Sequence, residues 1–301
     1  MTMSYKHRIS YAVIAGVAVF LTAMMTEAAD TGTYVDGNAR RAERTVDTAA
    51  VSKAKRAEIK RLTLEASKPG HAEEKFDLAV CYFNGGYGVE QDYAEAAKWF
   101  RKAAEEGHIR AQTKLGDCYF YGMGVEKDDA EGLKWYHKAA EQGDTNALYC
   151  IGAFYYSGKY GLKQDKAEAV KWYRKAADLG SANVQVILAH CYEHGYGVEK
   201  DDAEAVKWYR KAAELGDSHA QRILGVRYET GVGVEKDEEE AVKWYRKAAK
   251  QDDPESLYRL GVCYEKGIGV KADRAEAIKW YRKAASGYEK AADALKRLGV
   301  K

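Results

Sequence analysis

Residues 201–216, DDAEAVKWYRKAAELG, contain the pattern from which most of this 301-residue chain is built. Near-copies of this stretch surround every tryptophan of the chain, at Trp99, Trp135, Trp172, Trp208, Trp244 and Trp280. Successive tryptophans lie 36 or 37 residues apart. A fixed period of this length indicates an array of helical repeats, in which each unit packs on its neighbours.

The quoted stretch predicts an α-helix with an aspartate cap at its start. Asp-x-x-Glu opens all six copies, and we expect each aspartate to accept a hydrogen bond from a free backbone N–H of the first turn. The glutamate, as in Asp201 and Glu204, is expected to reach back to the backbone N–H of the aspartate and complete a capping box. Paired carboxylates repeated six times at a helix start favour capping over acid–base catalysis. The predicted caps are Asp92, Asp128, Asp165, Asp201, Asp237 and Asp273.

Helical spacing gives this helix a wide apolar side. Ala205, Val206 and Tyr209 fall on the same arc as Trp208, with charged residues opposite. The six tryptophans are therefore predicted to form a repeated structural core and not a cofactor site. A glycine after the helix predicts a left-handed C-terminal cap in five copies. These glycines are Gly107, Gly143, Gly180, Gly216 and Gly287.

The five cysteines are predicted to be free thiols, most of them buried. Four of them precede a tyrosine at the same position of their repeats. Equivalent positions of packed helices lie about 10 Å apart, which is beyond the reach of a disulfide. The cysteines are Cys81, Cys118, Cys150, Cys191 and Cys263.

The repeat resembles the Sel1-like family, a relative of the tetratricopeptide repeats. The fifth unit carries the family pattern at Ala220, Leu224, Gly225, Tyr228, Gly231, Gly233, Val234, Asp237, Ala241, Trp244, Tyr245, Lys247, Ala248 and Ala249. The resemblance covers residues 71–287. It implies an all-α fold: a right-handed α-solenoid superhelix of six helix-loop-helix repeats with a C-terminal capping helix.

The chain is expected to divide at the ends of these units. An export signal occupies residues 1–28, and a charged linker or N-terminal cap helix occupies residues 29–70. The repeats span 71–107, 108–143, 144–180, 181–216, 217–252 and 253–287, and the capping helix spans 288–301.

The resemblance also implies a protein–protein interaction scaffold whose first helices line a concave face. Positions that differ among repeats are free to serve a ligand, and on the first helices they form one arc. Mixed aromatic, polar and basic side chains there favour capture of a peptide or helix. The alternative is that these positions vary only because they are exposed. The predicted partner-binding residues are Phe76, Arg110, Thr113, Asp117, Asn146, Tyr149, Asn183, His190, His219, Arg222 and Tyr258.

Two patterns resemble enzyme motifs. Residues 190–194, HCYEH, match the H-x-x-E-H pattern of zinc hydrolases, but Tyr-Glu recurs in other repeats and no third ligand is evident. Residues 52–55, SKAK, fit S-x-x-K without the SDN or KTG companions. We therefore predict a non-enzymatic protein that uses no cofactor and no metal. The alternative is a cell-wall or β-lactam-directed hydrolase, by resemblance to cysteine-rich members of the family.

The first 28 residues predict export. Lys6 and Arg8 precede an uncharged apolar run over residues 11–25, and Thr26 and Ala28 have the small side chains that cleavage requires. The alternative is an uncleaved membrane anchor, the one membrane contact that we expect. A periplasmic or secreted bacterial protein is therefore predicted. The 48 Lys+Arg residues nearly balance the 46 Asp+Glu residues, so nothing in the charge argues for a nucleic-acid partner. The expected partner is the protein or peptide of the concave face.

Overall fold

The computed structural model describes residues 48–86 and 89–300, with side chains from Ala57 onward. Within these ranges the chain forms fourteen α-helices and no strand, so the all-α repeat fold is confirmed. The helices are α1 (Thr48–Ala66), α2 (Ala72–Asn84), α3 (Tyr93–Glu105), α4 (Ile109–Tyr121), α5 (Asp129–Glu141), α6 (Thr145–Ser157), α7 (Lys166–Asp178), α8 (Ala182–His194), α9 (Asp202–Glu214), α10 (Ser218–Thr230), α11 (Glu238–Ala249), α12 (Pro254–Lys266), α13 (Arg274–Ala284) and α14 (Glu289–Arg297).

The described residues up to Trp99 form one compact unit, and those from Phe100 onward form a second. In the first unit α1 packs against α2, with Leu62 and Ala66 of α1 and Leu78 of α2 buried. Residues 48–66 therefore form a helix within the segment predicted as a linker or cap helix. The predicted export signal lies outside the described residues. Among the helices that are described, none has the length and apolar character needed to cross a membrane.

In the second unit the helices pack as consecutive pairs. Helix α4 packs on α5, α6 on α7, α8 on α9, α10 on α11, and α12 on α13, and the second helix of each pair also packs on the first helix of the next. The last helix, α14, packs on α13, as expected of a terminal cap. One hydrophobic core runs through these pairs, so each repeat is stabilised mainly by its neighbours.

The deepest side chains of this core are the tyrosines that follow the tryptophans. Tyr209, Tyr245 and Tyr281 have no exposed surface. Gly225 on α10 admits the Tyr245 ring, because a Cβ at this glycine would lie 2.5 Å from a ring carbon. Gly261 admits Tyr281 in the same way, at 2.4 Å. The glycine of the repeat's Leu-Gly pair thus leaves room for the tyrosine ring of the second helix.

The tryptophans lie at the edge of the core. Trp99, Trp135, Trp208 and Trp244 are buried, whereas Trp172 and Trp280 are only partly buried. A lysine one turn later covers the outer face of the ring, as Lys211 does with its Nζ 3.7 Å from the centroid of Trp208. Such a cation over an indole adds a favourable electrostatic contact. The tryptophans therefore seal the core from solvent.

The six aspartates cap their helices, but the reciprocal bond from the glutamate does not form. Asp201 accepts from the backbone N–H of Glu204 at 2.9 Å. The equivalent bonds involve Asp92, Asp128, Asp165, Asp237 and Asp273. The backbone N–H of Asp201 instead donates to the carbonyl of Tyr192 on the first helix, at 2.9 Å. Glu204 pairs with Lys207 at 2.8 Å. The capping-box prediction is wrong for the glutamate, because the helix-to-helix bond already satisfies the N–H that it was expected to reach.

Four of the five predicted glycine caps have the left-handed backbone. They are Gly107, Gly143, Gly180 and Gly216, with φ between 82° and 99°. Gly287 is not in the left-handed region, so the prediction is wrong there. Because Gly287 has no side chain, the Pro254 ring can pack closely against it; a Cβ would lie 3.0 Å from that ring. In the fifth repeat Asp252 takes the left-handed turn with φ 58°, and Asp253 caps α12 with Pro254 at its start.

Candidate functional site

The first helices of the second unit carry ten of the predicted partner-binding residues, which we call the first-helix face. Arg110, Asn146, Asn183 and His219 are exposed, and the other six are half-buried. The face consists of Arg110, Thr113, Asp117, Asn146, Tyr149, Asn183, His190, His219, Arg222 and Tyr258. The four exposed residues occupy the same position in four repeats. They form the most accessible row of the face.

Phe76 was the eleventh predicted residue, and it does not present a binding surface. Its relative exposure is 7%, among the core side chains of the first unit. The first repeat places a large apolar residue where the second and fifth place Thr113 and Arg222, and burying it is favourable. The prediction of Phe76 as a partner-binding residue is therefore wrong.

Several residues of the first-helix face are held from behind by the tyrosine of the second helix. The hydroxyl of Tyr136 donates to Asp117 Oδ1 at 2.6 Å. The Tyr149 ring stacks on Tyr173, with centroids 6.0 Å apart, and the Tyr258 ring lies 5.6 Å from that of Tyr281. Since the second-helix tyrosines are core residues, they give the face a fixed geometry. Burial raises the pKa of Asp117, and Lys114 and the Tyr136 hydroxyl oppose this effect.

Glutamates next to the first-helix tyrosines form a polar ladder that sequence reasoning missed. Glu193 accepts from Tyr209 at 2.6 Å, and Glu265 accepts from Tyr281 at 2.6 Å. Tyr245 donates to Glu229 in the repeat between them. Each glutamate also meets an arginine from the following first helix or cap helix: Arg227, Arg259 and Arg297. The recurring Tyr-Glu pairs signalled a shared role, but only helix packing shows the partners.

Glu193 lies in the most strongly charged part of this ladder. Burial would raise its pKa, but hydrogen bonds from His190 and Tyr209 and the charge of Arg227 lower it to about 2. Arg227 meets Glu193 Oε1 at 2.5 Å and Asp202 at 3.6 Å. Glu193 is therefore a structural carboxylate whose two oxygens are both engaged.

A group of histidines surrounds Glu193. Ligand-capable atoms of His190, Glu193 and His194 lie within 4.8 Å of one another. The His190 and His194 rings are parallel, with centroids 5.9 Å apart and 6° between their planes. His219, from the next repeat, lies 6.1 Å from His190 between centroids. His219 follows 25 residues after the HCYEH pattern, so the sequence did not show that it lies beside His190.

Arg222 connects the fifth and sixth repeats. Its guanidinium lies 2.9 Å from Glu255 and 3.6 Å from Asp253, and it donates to His219 Nδ1 at 2.8 Å. Loss of hydration lowers the pKa of His219, and the charges of Arg222 and His190 lower it further. Arg222 was predicted to bind a partner. The observed ion pairs show that it also holds neighbouring repeats together.

The remaining nucleophile candidates show no activated group among the described side chains. All five cysteines are free thiols. Burial raises the pKa of Cys118, Cys150, Cys191 and Cys263 to about 12, so these thiols stay protonated at neutral pH. Residues 52–55 lie in α1, but the Ser52 and Lys55 side chains are outside the described ones.

Comparison with known proteins matches the same units. The family model described as Sel1 repeat matches residues 75–108, 109–144, 145–181, 182–217, 218–253 and 254–287. A search of curated proteins found no match.

Two solved structures share more than a third of aligned residues with this chain. One is a protective antigen of uropathogenic Escherichia coli with an SLR fold, at 36% identity and a TM-score of 0.68 over 77% of this chain. This chain spans 50% of that antigen. The other is a Sel1 repeat protein from Oxalobacter formigenes, at 35% identity and a TM-score of 0.58, covering 78% of this chain and 99% of the relative.

Proposed function

This chain belongs to the Sel1 repeat family, and from that premise we propose that it is an exported, non-enzymatic scaffold that binds a protein or peptide along its first-helix face. The scaffold would hold its partner in the envelope or outside the cell, where assembly and signalling proteins act. Residues 1–28 support export by their basic start, apolar run and small residues at the end.

The observation that carries this proposal is the contrast between the two helices of each repeat. The second helices are nearly identical from repeat to repeat, and the residues that they share form caps, core contacts and ion pairs. On the first helices, one exposed position holds Arg110, Asn146, Asn183 and His219 in successive repeats. Stacking does not require three different kinds of polar side chain at equivalent places. Such variety suits recognition of an irregular partner sequence.

The chemistry of the face favours a peptide or helix. Half-buried Tyr149 and Tyr258 offer aromatic surface, and their rings are fixed by the tyrosines behind them. Rigid aromatic side chains lose little conformational entropy on binding. Asn146 and Asn183 add donors and acceptors for a backbone or polar side chain. Buried, protonated thiols and carboxylates engaged in ion pairs support a binding role over a catalytic one.

Site-specific photocrosslinking tests the proposal. A benzophenone side chain at Asn146 or at Asn183 is expected to capture the same partner in the cells that produce the protein. The matched control is Lys171, which is also exposed but lies on the second helix α7. Tyr149→Ala should abolish capture from both positions while circular dichroism shows an intact fold. Equal capture from Lys171, or capture that survives Tyr149→Ala, would place the partner elsewhere.

A further inference from the structure

Arg222 lies at the centre of a junction between the fifth and sixth repeats. Each of its three guanidinium nitrogens meets a different group. Nε lies 3.6 Å from Asp253, Nη1 lies 2.9 Å from Glu255, and Nη2 donates to His219 Nδ1 at 2.8 Å. His219 and Arg222 belong to α10, whereas Asp253 caps α12 and Glu255 lies in its first turn. We propose that this junction is a proton-operated switch, closed while the His219 imidazole is neutral and opened when the ring takes up a proton.

The bond between Arg222 and His219 requires a neutral imidazole. A guanidinium has donors and no acceptor, so His219 Nδ1 must supply a lone pair. The proton of the neutral ring therefore sits on Nε2. In an imidazolium both nitrogens carry protons, so the hydrogen bond is lost and two cations face each other at short range. A single proton thus converts an attractive contact into a repulsive one.

The charged and titratable groups around this bond come from three helices. Loss of hydration is the largest effect that disfavours a charged His219 ring, and the charges of Arg222 and His190 add to it. The carboxylates act in the opposite direction, but the net effect lowers the pKa of His219 below its ordinary value of 6.5. The groups are Arg222 and the cap residue Asp217 from α10, His190 from α8 with its ring centroid 6.1 Å away, and Asp253 and Glu255 from α12.

The pair of His219 and Arg222 is specific to the fifth repeat. In the other repeats of the second unit, the position of His219 holds Arg110, Asn146, Asn183 and Glu255, and that of Arg222 holds Thr113, Tyr149, Val186 and Tyr258. The other repeats therefore stack without this pair. Because Glu255 is the counterpart of His219 in the sixth repeat, Arg222 bridges equivalent positions of adjacent repeats.

Opening of the switch changes the first-helix face at one place. Arg222 keeps its ion pair with Glu255, so the two repeats remain joined. His219 loses the bond that fixes its ring, and the exposed row of the face gains a positive charge at this position. The switch is a property of the chain itself and does not depend on whether the face binds a partner.

Nuclear magnetic resonance of the imidazole nitrogens in the whole 301-residue chain tests the switch directly. His219→Asn identifies the signals of His219 by their absence. Nδ1 should be the unprotonated nitrogen of the neutral ring, and the titration midpoint should lie below 6.5. Arg222→Gln should raise this midpoint, because it removes the adjacent cation. Lys207→Gln is the matched control, since it removes a cation that pairs with Glu204 on α9, and it should leave the midpoint unchanged.

Thermal unfolding between about pH 7.5 and about pH 5.5 measures what the closed switch contributes to stability. A histidine whose pKa is lower in the folded state stabilises the fold above its unfolded pKa, and this contribution is lost as the pH falls below 6.5. The melting temperature of the unsubstituted chain should therefore fall more across this range than that of His219→Asn. Asparagine occupies this position in the third and fourth repeats, and its carboxamide oxygen can still accept from Arg222. Glu193 does not contribute to the difference, because its pKa of about 2 keeps it ionised throughout.

Three results would each overturn the proposal. A proton on Nδ1 of the neutral His219 ring would exclude the bond from Arg222. A midpoint in Arg222→Gln no higher than in the unsubstituted chain would show that the guanidinium does not oppose protonation. An equal fall of the melting temperature in His219→Asn and the unsubstituted chain would show that the junction does not respond to the proton.

Discussion

At the residue scale, Glu193 belongs to the repeated Tyr-Glu pairs but has surroundings that the other glutamates of these pairs lack. The Tyr-Glu pair recurs, but only Glu193 has a histidine on the same helix within 3.5 Å of its carboxylate. Tyr209 and Arg227 complete its surroundings. Hydrogen bonds and an adjacent positive charge stabilise the ionised form more than burial destabilises it. Its pKa of about 2 lies below the ordinary value of 4.5.

This shift predicts a stability that depends on pH. A carboxyl whose pKa is lower in the folded state stabilises the fold above its unfolded pKa, and this contribution is lost as the pH falls from about 4.5 to about 2. Glu193→Gln should reduce the free energy of unfolding at pH 7 by about 1.5–3 kcal/mol, the range for hydrogen bonds to charged groups. The difference from the unsubstituted chain should shrink through that pH window in urea titrations.

Glu214→Gln serves as the control for this measurement, because Glu214 is exposed at the end of α9. It should change the free energy of unfolding little at any pH. A constant difference between Glu193→Gln and the unsubstituted chain down to pH 2 would contradict the lowered pKa.

At the element scale, the second helix begins with a cap that is joined to the first helix. The aspartate side chain caps the helix, and its backbone N–H closes a bond to the first-helix tyrosine, as in Asp201 and Tyr192. The two helices of a repeat are thus held in register by main-chain bonding at this turn. Glu204 is free to pair with Lys207 and to accept from Trp208 Nε1 at 3.1 Å.

A pair of substitutions at this turn separates the two acidic residues. Asp201→Ala should cost about 1 kcal/mol of unfolding free energy, because a free N–H of the first turn loses its acceptor. Glu204→Gln should cost about 0.5 kcal/mol or less, since it removes an exposed ion pair and keeps an acceptor for Trp208. Urea unfolding of both variants measures the difference. Equal costs would indicate that the glutamate does complete a capping box in solution.

At the scale of the whole second unit, the repeats are joined by close backbone contacts at the glycine loops. A Cβ at Gly233 would lie 2.2 Å from the backbone oxygen of Asp202 in the preceding repeat. Gly197 and Gly269 make the same approach to Lys166 and Glu238. The second glycine of these three Gly-x-Gly loops therefore sets the distance between the repeats that it joins.

Two glycines with similar backbone angles test this explanation. Gly216→Ala places a side chain at φ 99° in open space, so only the cost of the left-handed backbone applies, about 1–2 kcal/mol. Gly233→Ala, at φ 75°, adds a clash with the previous repeat and should cost a further ~1–3 kcal/mol. Hydrogen exchange should also rise in α9 for Gly233→Ala alone. Equal costs and unchanged exchange in α9 would show that the loop does not control stacking.

Sequence alone determined the repeat period, the helices, the aspartate caps and the unpaired thiols. These features depend on residues close in the chain or on a pattern repeated without change, so spacing and residue type suffice to identify them. The same reasoning placed ten of the eleven partner-binding residues on an accessible or half-buried face. It failed at Phe76 and Gly287, where burial or a neighbouring proline ring sets the environment. It also failed at the capping-box glutamate, because the first-helix tyrosine carbonyl already accepts from the N–H concerned.

Only the tertiary structure decided which side chains meet across helices. Tyr209 reaches Glu193 from 16 residues away, Arg227 reaches it from the following repeat, and His219 joins His190 from the next first helix. Such contacts depend on how far each helix is rotated about its axis and on the distance at which the repeats stack. Neither quantity can be read from a 36-residue period. The structure of the second helices could thus be predicted from the sequence. The contacts of the first-helix face depend on how the helices pack, so only the tertiary structure shows them.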